Sequence, residues 1–267
     1  QGVRNQLVPY GTIPRVFGRV RNYYPPLAAQ PYTEVWRGND QYFRAVFLIS
    51  YGPCEISRLV INNTSADKFE DIEYEVFQGR GADPRLRRFP AQVREEVISI
   101  ELKQSNGWHV RTSEPNSDEI ALDVAFPNGL QRISNKQITY WLEVEFEVQY
   151  RAAGATTWLA APLSPDSRSV DLTGAGRFAV RVNSKAGLRR SVRWVLPTRG
   201  QYDVRIRRLT TDKQADAQGK DQSVTVEASY WTSLRSSRHD HPVNVENVTL
   251  LAMRVRTTEQ FSGQLEQ

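Results

Sequence analysis

The sequence is poor in sulfur and has no long hydrophobic run. Cys54 is the only cysteine among 267 residues, and there is one methionine. A single cysteine excludes an intrachain disulfide framework and a thiolate zinc cluster. No uninterrupted apolar stretch approaches the roughly 20 residues that a membrane-spanning helix needs. These absences exclude disulfide-stapled and helical membrane proteins and favour folding in the cytosol.

Helical periodicity and catalytic motifs are also missing. No convincing stretch places apolar residues at i, i+3, i+4 and i+7. The chain has no Gly-x-Ser-x-Gly nucleophile elbow and no Gly-x-x-x-x-Gly-Lys phosphate loop. Cys54 follows Gly52 and Pro53 at the start of a predicted strand, where a small buried hydrophobic residue is the ordinary role. We therefore expect no catalytic residue and no cofactor.

Alternation with a period of two is present throughout the chain. Its clearest example is residues 142–151, where each apolar residue is followed by Glu, Gln or Arg. Successive side chains of a strand point to opposite faces, so this segment predicts one apolar and one charged face. Similar segments recur at the 8–12-residue spacing of a sandwich or barrel. They begin at residues 178, 192, 202 and 224. The pattern predicts an all-β protein.

The distribution of these segments predicts two domains. Residues 1–40 are rich in Pro, Gly and Tyr, which favours an extended arm, because proline lacks a backbone donor. The simplest topology is a discontinuous sheet-rich hub domain, a mixed β-barrel or sandwich, that contains residues 1–136 and 239–267. An immunoglobulin- or fibronectin-like β-sandwich, residues 137–238, would be inserted into it. The Arg-rich loop at residues 79–90 is expected to be solvated or ordered by a partner.

Positive charge is concentrated in the predicted insert. The net charge is +5, and residues 137–238 hold 16 Lys and Arg against 10 Asp and Glu. Ten basic residues lie between Arg177 and Arg208, with only Asp203 as an acid. The arginines predicted to share a partner-binding basic face are Arg181, Arg193, Arg205 and Arg207.

Three interpretations of this basic face stay open. It could be a solvated face whose arginines pair with the glutamates of residues 143–147. It could instead bind an acidic protein neighbour, or polyanions such as lipopolysaccharide or DNA. DNA is disfavoured, because aromatic residues should then interleave with the arginines. Trp194 and Tyr202 are predicted on the core face instead.

Aromatic and histidine residues supply the remaining candidates. The predicted interface aromatics of the first segment are Tyr23, Tyr24, Tyr32 and Trp36. The alternative is that the arm folds over its own sheet. His239 and His241 have the spacing of a metal-ligand pair on a strand. They lie beside Pro242 in a predicted linker, so a solvated linker is favoured and no metal site is predicted.

Four separated segments resemble a known family. Residues 5–18, 41–61, 89–96 and 251–266 are similar to the tail tip attachment protein J, or host specificity protein, family of lambda-like long-tailed phages. The segments recur in the family's order and bracket the predicted insert. The resemblance implies a trimeric hub of β domains around a central channel. It also implies a fibronectin- or immunoglobulin-like insert and carries no catalytic motif.

The resemblance sets the functional expectation. The chain is expected to be a hub fragment of a longer protein, located at the virion tail tip and assembled in the bacterial host cytoplasm. Its expected partners are other phage tail proteins, two further copies in a homotrimer, and a host surface glycan or lipopolysaccharide. A stand-alone carbohydrate-binding β module is the alternative. A glycan-cleaving enzyme is a third, weaker hypothesis.

Overall fold

A computed structural model describes residues 5–8, 10–37, 40–61, 64–84, 86–164, 170–212, 223–239 and 243–257. These residues form β-strands and two short 3₁₀ turns, Ala66–Lys68 and Gln104–Asn106, without an α-helix among them. The chain is therefore all-β, which confirms the predicted fold class. In this described part, no helix is long and apolar enough to cross a membrane.

The strands are numbered in chain order. They are β1 (Tyr32–Arg37), β2 (Asp40–Tyr51), β3 (Val60–Ile61), β4 (Thr64–Ser65), β5 (Ile72–Phe77), β6 (Gln92–Glu101), β7 (His109–Thr112), β8 (Ser117–Phe126), β9 (Gln131–Ile133), β10 (Thr139–Tyr140), β11 (Leu142–Ala152), β12 (Leu159–Ala160), β13 (Asp171–Gly174), β14 (Arg177–Val182), β15 (Leu188–Gly200), β16 (Tyr202–Arg208), β17 (Val224–Val226), β18 (Tyr230–Arg238) and β19 (Val248–Thr257).

The chain divides into two compact units. The first contains residues 1–34, 40–93 and 238–267. Its main sheet has the order β1-β2-β19-β5, in which β19 pairs antiparallel with β2 and β5. The last long strand of the chain therefore lies between two strands from its beginning. Long-range pairing of this kind joins the two ends of the sequence in one unit.

The proline-rich arm lies along β2 of this first unit. Ala28 donates its backbone N–H to the Val46 carbonyl at 2.8 Å, and Leu48 donates to the Pro26 carbonyl at 2.8 Å. Pro26 lacks a donor of its own but accepts here, which is compatible with a segment outside the regular ladder. The arm therefore packs on its own sheet, which is the alternative that the sequence left open.

The Arg-rich loop of residues 79–90 is anchored within the same unit, contrary to the expectation of a solvated segment. Leu86 and Phe89 are buried in a core cluster with Val46. The carboxylate of Glu75 accepts the backbone N–H of Arg88 at 2.6 Å. The prediction was wrong because it weighed the arginines and overlooked the two apolar residues between and after them.

The second compact unit, residues 35–39 and 94–237, is a β-sandwich. One sheet has the order β13-β14-β11-β16-β7 with β12 beside β11, and the other has the order β15-β8-β18-β6. Both sheets supply residues to one hydrophobic core, including Phe146 and Phe178 from the first and Phe126, Trp194 and Trp231 from the second. A small third sheet, β10-β9-β17, belongs to the same unit.

This unit begins earlier in the chain than the predicted insert does. It includes residues 94–136, which the sequence analysis placed in the hub domain. The pairing explains the grouping, because β7 pairs with β16, and β8 pairs with both β15 and β18. The predicted single strand from residue 224 to residue 230 is two strands, β17 and β18, in different sheets.

Candidate functional site

The candidate site lies on the outer face of the six-stranded sheet of the sandwich. Alternation along β11 and β16 separates its two faces. Phe146, Val148 and Ile206 are fully buried on the core side. Residues next to these in the chain, among them Glu147 and Arg207, point away from that core. The two strands pair antiparallel, so their polar residues lie side by side.

Two arginines of β16 bind polar partners directly opposite them on β11. Arg207 is the register partner of Glu147, and its Nη2 lies 2.6 Å from Glu147 Oε2. Arg205 is the register partner of Gln149 and donates from Nη2 to Gln149 Oε1 at 2.5 Å. The predicted pairing of Arg207 with the glutamate ladder is therefore present, whereas Arg205 binds an amide.

A third pair lies further along the same two strands, near the end of β11 and the start of β16. Arg151 of β11 faces Asp203 of β16, with Arg151 Nε 3.0 Å from Asp203 Oδ2. Asp203 also accepts a hydrogen bond from the Thr112 hydroxyl of β7 at 2.8 Å. Polar contacts thus tie β11, β16 and β7 together on this outer face.

Two tryptophans interleave with these arginines. The guanidinium of Arg205 lies 4.2 Å from the ring centroid of Trp108 and 4.2 Å from that of Trp158. Arg207 contacts Trp108 at 4.5 Å, and Arg151 contacts Trp158 at 4.4 Å. Each indole ring therefore engages two cations. We call Trp108, Arg151, Trp158, Arg205 and Arg207 the Arg–Trp face.

The Arg–Trp face holds three guanidinium groups, two of which are paired with carboxylates of the same sheet. Burial, followed by the nearby Arg207, lowers the pKa of Arg205, and the opposing influence of Glu147 is smaller than either. The ordinary arginine pKa is so high that the group stays charged near neutral pH. Stacked guanidinium groups with fixed hydrogen-bond partners can brace a sheet and present a flat polar surface. They supply no nucleophile or proton-transfer group.

The four arginines predicted to share one face do not all do so. Arg181 lies in β14 opposite Glu143, on the same sheet as Arg205 and Arg207 but separated from them by β11. Arg193 lies in β15, in the other sheet. Its neighbour Trp194 is buried in the shared core, so Arg193 points outward from the opposite side of the sandwich.

Sequence reasoning missed Trp108 and Trp158. Trp194 and Tyr202 are buried in the core, as predicted. The argument that aromatics do not interleave with the arginines is nevertheless wrong, because it considered only the aromatics near residues 177–208. Trp108 and Trp158 lie just before β7 and β12, and only the pairing of those strands brings them to the face.

The interface aromatics of the first unit occupy different environments. Tyr23 is one-third exposed and donates its hydroxyl to the Ile49 carbonyl at 2.8 Å, and Tyr24 is half-exposed. Tyr32 packs edge-to-face on Phe89 with ring centroids 5.5 Å apart. Trp36 lies in β1, and its side chain is outside the described residues. The prediction that these aromatics form an interface stays a prediction.

The histidine and cysteine candidates show no assembled site. His239 is exposed after β18, and His241 lies outside the described residues. Over the described ranges, no group of three or more His, Cys, Asp or Glu side chains is arranged to hold a metal ion. Cys54 is a half-buried free thiol rather than the fully buried residue that was expected.

A polar cavity of about 250 Å³ lies in the sandwich unit. It is lined by Arg94, Glu95, Glu96, Thr112, Glu114, Leu234 and Ser236. Arg189 lies 3.5 Å from the carboxylate of Glu95, and Arg111 lies 3.3 Å from that of Glu96. Glu95 and Glu96 of the cavity therefore each have an arginine partner.

Comparison with known proteins identifies the sandwich. A family model described as "Tip attachment protein J, FNIII-A domain" matches residues 92–240, more than half of the chain. The matched range nearly coincides with the main segment of the second unit, residues 94–237, and contains the whole Arg–Trp face. No curated protein matches the chain closely enough to count as a relative.

Proposed function

Since this chain belongs to the tip attachment protein J family, we propose that it is a structural component of a phage or prophage tail tip. It would help to assemble the distal tail as part of the baseplate hub and would support attachment to the host. The proposal contains no catalytic step. Its partners would be other tail proteins and two further copies of the same chain, assembled in the bacterial host cytoplasm.

The proposal is supported by one observation: the residues that the family model matches, 92–240, form a sandwich whose strands are joined by side-chain contacts. Residues 94–237 form two sheets around one core, and the Arg–Trp face ties three strands together on the outside. A part of an assembly that transmits force between neighbours must resist shear between its strands. Stacked cation–π pairs and cross-strand ion pairs supply such resistance without a ligand.

Binding of a host glycan by the Arg–Trp face has less support. A sugar ring would need an open aromatic face, and Trp108 and Trp158 each already contact two guanidinium groups. Displacing Arg205 from between them would also break its bond to Gln149. The carbohydrate-binding alternative therefore ranks below the structural role.

Deletion and complementation in a phage that carries this chain would test the proposed function. Removing the encoded residues 1–267 should yield particles with absent or aberrant tail tips in electron micrographs and no infectivity. The unchanged sequence supplied in trans should restore both. Normal tails and normal infectivity after deletion would contradict the proposal. Normal tails with lost glycan binding would instead support the carbohydrate-binding alternative.

A further inference from the structure

A second aromatic surface of the sandwich unit differs from the Arg–Trp face. It lies on the hairpin formed by β9 and β10, which with the residue that follows we call the hairpin tip, residues 131–141. Ile138, Tyr140 and Trp141 are 51%, 48% and 64% exposed. Three large apolar side chains exposed within four residues are an unusual concentration on a folded surface, and we call Ile138, Tyr140 and Trp141 the apolar patch.

The rings of this patch are not engaged by neighbours as those of the Arg–Trp face are. Among the described residues, neither Tyr140 nor Trp141 stacks on another ring or on a cation. Trp108 and Trp158, by contrast, each contact two arginines. Trp and Tyr are the residue types enriched at the energetic centres of protein interfaces. The hairpin tip therefore offers binding surface that the fold itself does not use.

Hydrogen bonds restrain the hairpin tip. Two backbone hydrogen bonds close its turn. The Ser134 N–H donates to the Ile138 carbonyl at 2.9 Å, and the Gln137 N–H donates to the Ser134 carbonyl at 3.0 Å. Asn183 donates to the Thr139 hydroxyl at 3.1 Å and joins the tip to the end of β14. A surface that is ordered before binding loses little conformational entropy when a partner docks.

The two chain segments that meet at the tip carry charge of one sign. Residues 128–141 and 181–187 meet at the backbone pairing of Leu130 with Ser184. Together they hold Arg132, Lys136, Arg181 and Lys185 and no acidic residue. The nearest acid along the chain is Glu143, which lies opposite Arg181. An apolar patch with a basic rim complements an apolar surface with an acidic rim.

We propose that the hairpin tip docks into an apolar groove with an acidic rim on a neighbouring tail protein. The proposal rests on the structural role proposed above and names the surface that makes the contact. A protein groove is favoured over a saccharide because the aliphatic Ile138 shares the patch with the two aromatics. Its three side chains are exposed and not enclosed in a cavity, whereas ligand sites for small molecules are usually concave.

Binding of the purified full chain to purified tails that lack it would test this proposal. The tails come from the deletion phage, and cosedimentation measures the affinity. Replacing Tyr140 and Trp141 together by serine should weaken binding by at least about tenfold, as loss of interface anchors does. Lys136→Glu should weaken it more at low salt than at high salt, because screening already reduces the attraction at high salt.

Three controls separate docking from folding. The double variant Tyr140→Phe and Trp141→Phe keeps the aromatic surface and should bind nearly as the unchanged chain does. Val97→Ser removes an 86% exposed apolar side chain from β6, away from the tip, and should bind normally. Unchanged thermal unfolding of the serine variant shows that the unit is still folded.

Each remaining result has a definite meaning. Equal binding by the serine variant and the unchanged chain would overturn this inference but leave the structural role intact. Failure of the unchanged chain to bind the tails would overturn both. Binding of lipopolysaccharide vesicles that is lost in the serine variant, with tail binding unchanged, would overturn the protein groove in favour of a saccharide.

Discussion

A single buried carboxylate organises the four-stranded sheet of the sandwich. Asp123 of β8 is fully buried and lies between arginines from both neighbouring strands. Arg235 Nη2 lies 2.8 Å from its Oδ1, and Arg189 Nε lies 2.9 Å from its Oδ2. The hydroxyl groups of Ser233 and Ser191 also donate to it. The charge is paired and hydrogen-bonded, as a buried charge must be.

Substitution of Asp123 should be strongly destabilising. Asp123→Asn would leave two arginines without their shared counter-ion, and breaking a buried pair in this way costs about 3–5 kcal/mol of the free energy of unfolding. Asp171→Asn, at an exposed position of β13, should change it by less than about 0.5 kcal/mol. Urea denaturation of both variants provides the measurement. Equal unfolding midpoints for the two variants would contradict this account of the cluster.

The same cluster predicts a dependence on pH. Burial by itself raises the pKa of Asp123, but Arg235 and Arg189, with the hydrogen bonds from Ser191 and Ser233, together outweigh burial, so the pKa lies below its ordinary value. A lowered folded-state pKa contributes stability that is present above the unfolded value, about 4, and is lost as the pH falls through the folded value. The stability difference between the unchanged chain and Asp123→Asn should therefore be constant at neutral pH and shrink below pH 4 in urea titrations. A difference that grows on acidification would refute the assignment.

At the scale of elements, the Arg–Trp face couples β7, β11 and β16. A double-mutant cycle with Arg205→Ala and Trp108→Ala should give a coupling free energy of about 0.5–1 kcal/mol, as a partly exposed cation–π contact does. The control cycle pairs Trp108→Ala with Arg181→Ala, whose strand is separated from β16 by β11. That cycle should give less than about 0.3 kcal/mol. Equal coupling in both cycles would mean that the stacking has no specific energetic role.

The position of the hairpin tip depends on Gly129. A Cβ at Gly129 would clash with the Ser184 carbonyl oxygen, and the residue has a φ of +84°. Gly154 has nearly the same φ, +83°, but no atom within 4 Å of its Cβ position. Gly154→Ala should therefore lower the free energy of unfolding by about 1 kcal/mol through backbone strain alone, which is the lower end of the range for residues in the left-handed region.

Gly129→Ala should lower the free energy of unfolding more than Gly154→Ala does, because the new Cβ would clash with Ser184 in addition to causing the same backbone strain. Chemical denaturation of the two alanine variants compares them directly. If both variants lose the same stability, close approach of the backbones at Leu130 and Ser184 does not constrain the tip.

Sequence periodicity predicted individual elements better than their pairing. The alternation of residues 142–151 predicted β11 and its two faces, and the structure confirms both. Nothing in that periodicity indicated that β7 would lie beside β16, so Trp108 could not be placed next to Arg205. A period of two shows which face of a strand is buried. It does not show which distant strand lies beside it.

Burial inferred from charge was less reliable than burial inferred from apolar pattern. The arginines of residues 79–90 suggested a solvated loop, but Phe89 is fully buried. Glu147 was predicted on an exposed face, yet it is largely buried under its ion pair with Arg207. Long side chains can cover one another and exclude water while both charges remain paired.

For the whole molecule, the resemblance and the fold class predicted from sequence are both confirmed. The resemblance rested on four separated segments that occur in the same order as in the family. Segment order can be read from a sequence, whereas strand register cannot. The predicted domain limits place residues 94–136 differently from the compact units. The alternation of β6, β7 and β8 does not indicate which unit they belong to, and their hydrogen-bonded neighbours place them in the sandwich.

Cryo-electron microscopy of intact virions that carry this chain would show where the sandwich lies in the particle. The account predicts density for the two-sheet sandwich of residues 94–237 at the distal end of the tail, in contact with other tail proteins. That density should be missing from particles of the deletion phage. Density for the chain in the capsid, or virions that lack the chain and still have complete tail tips, would contradict a structural role at the tail tip.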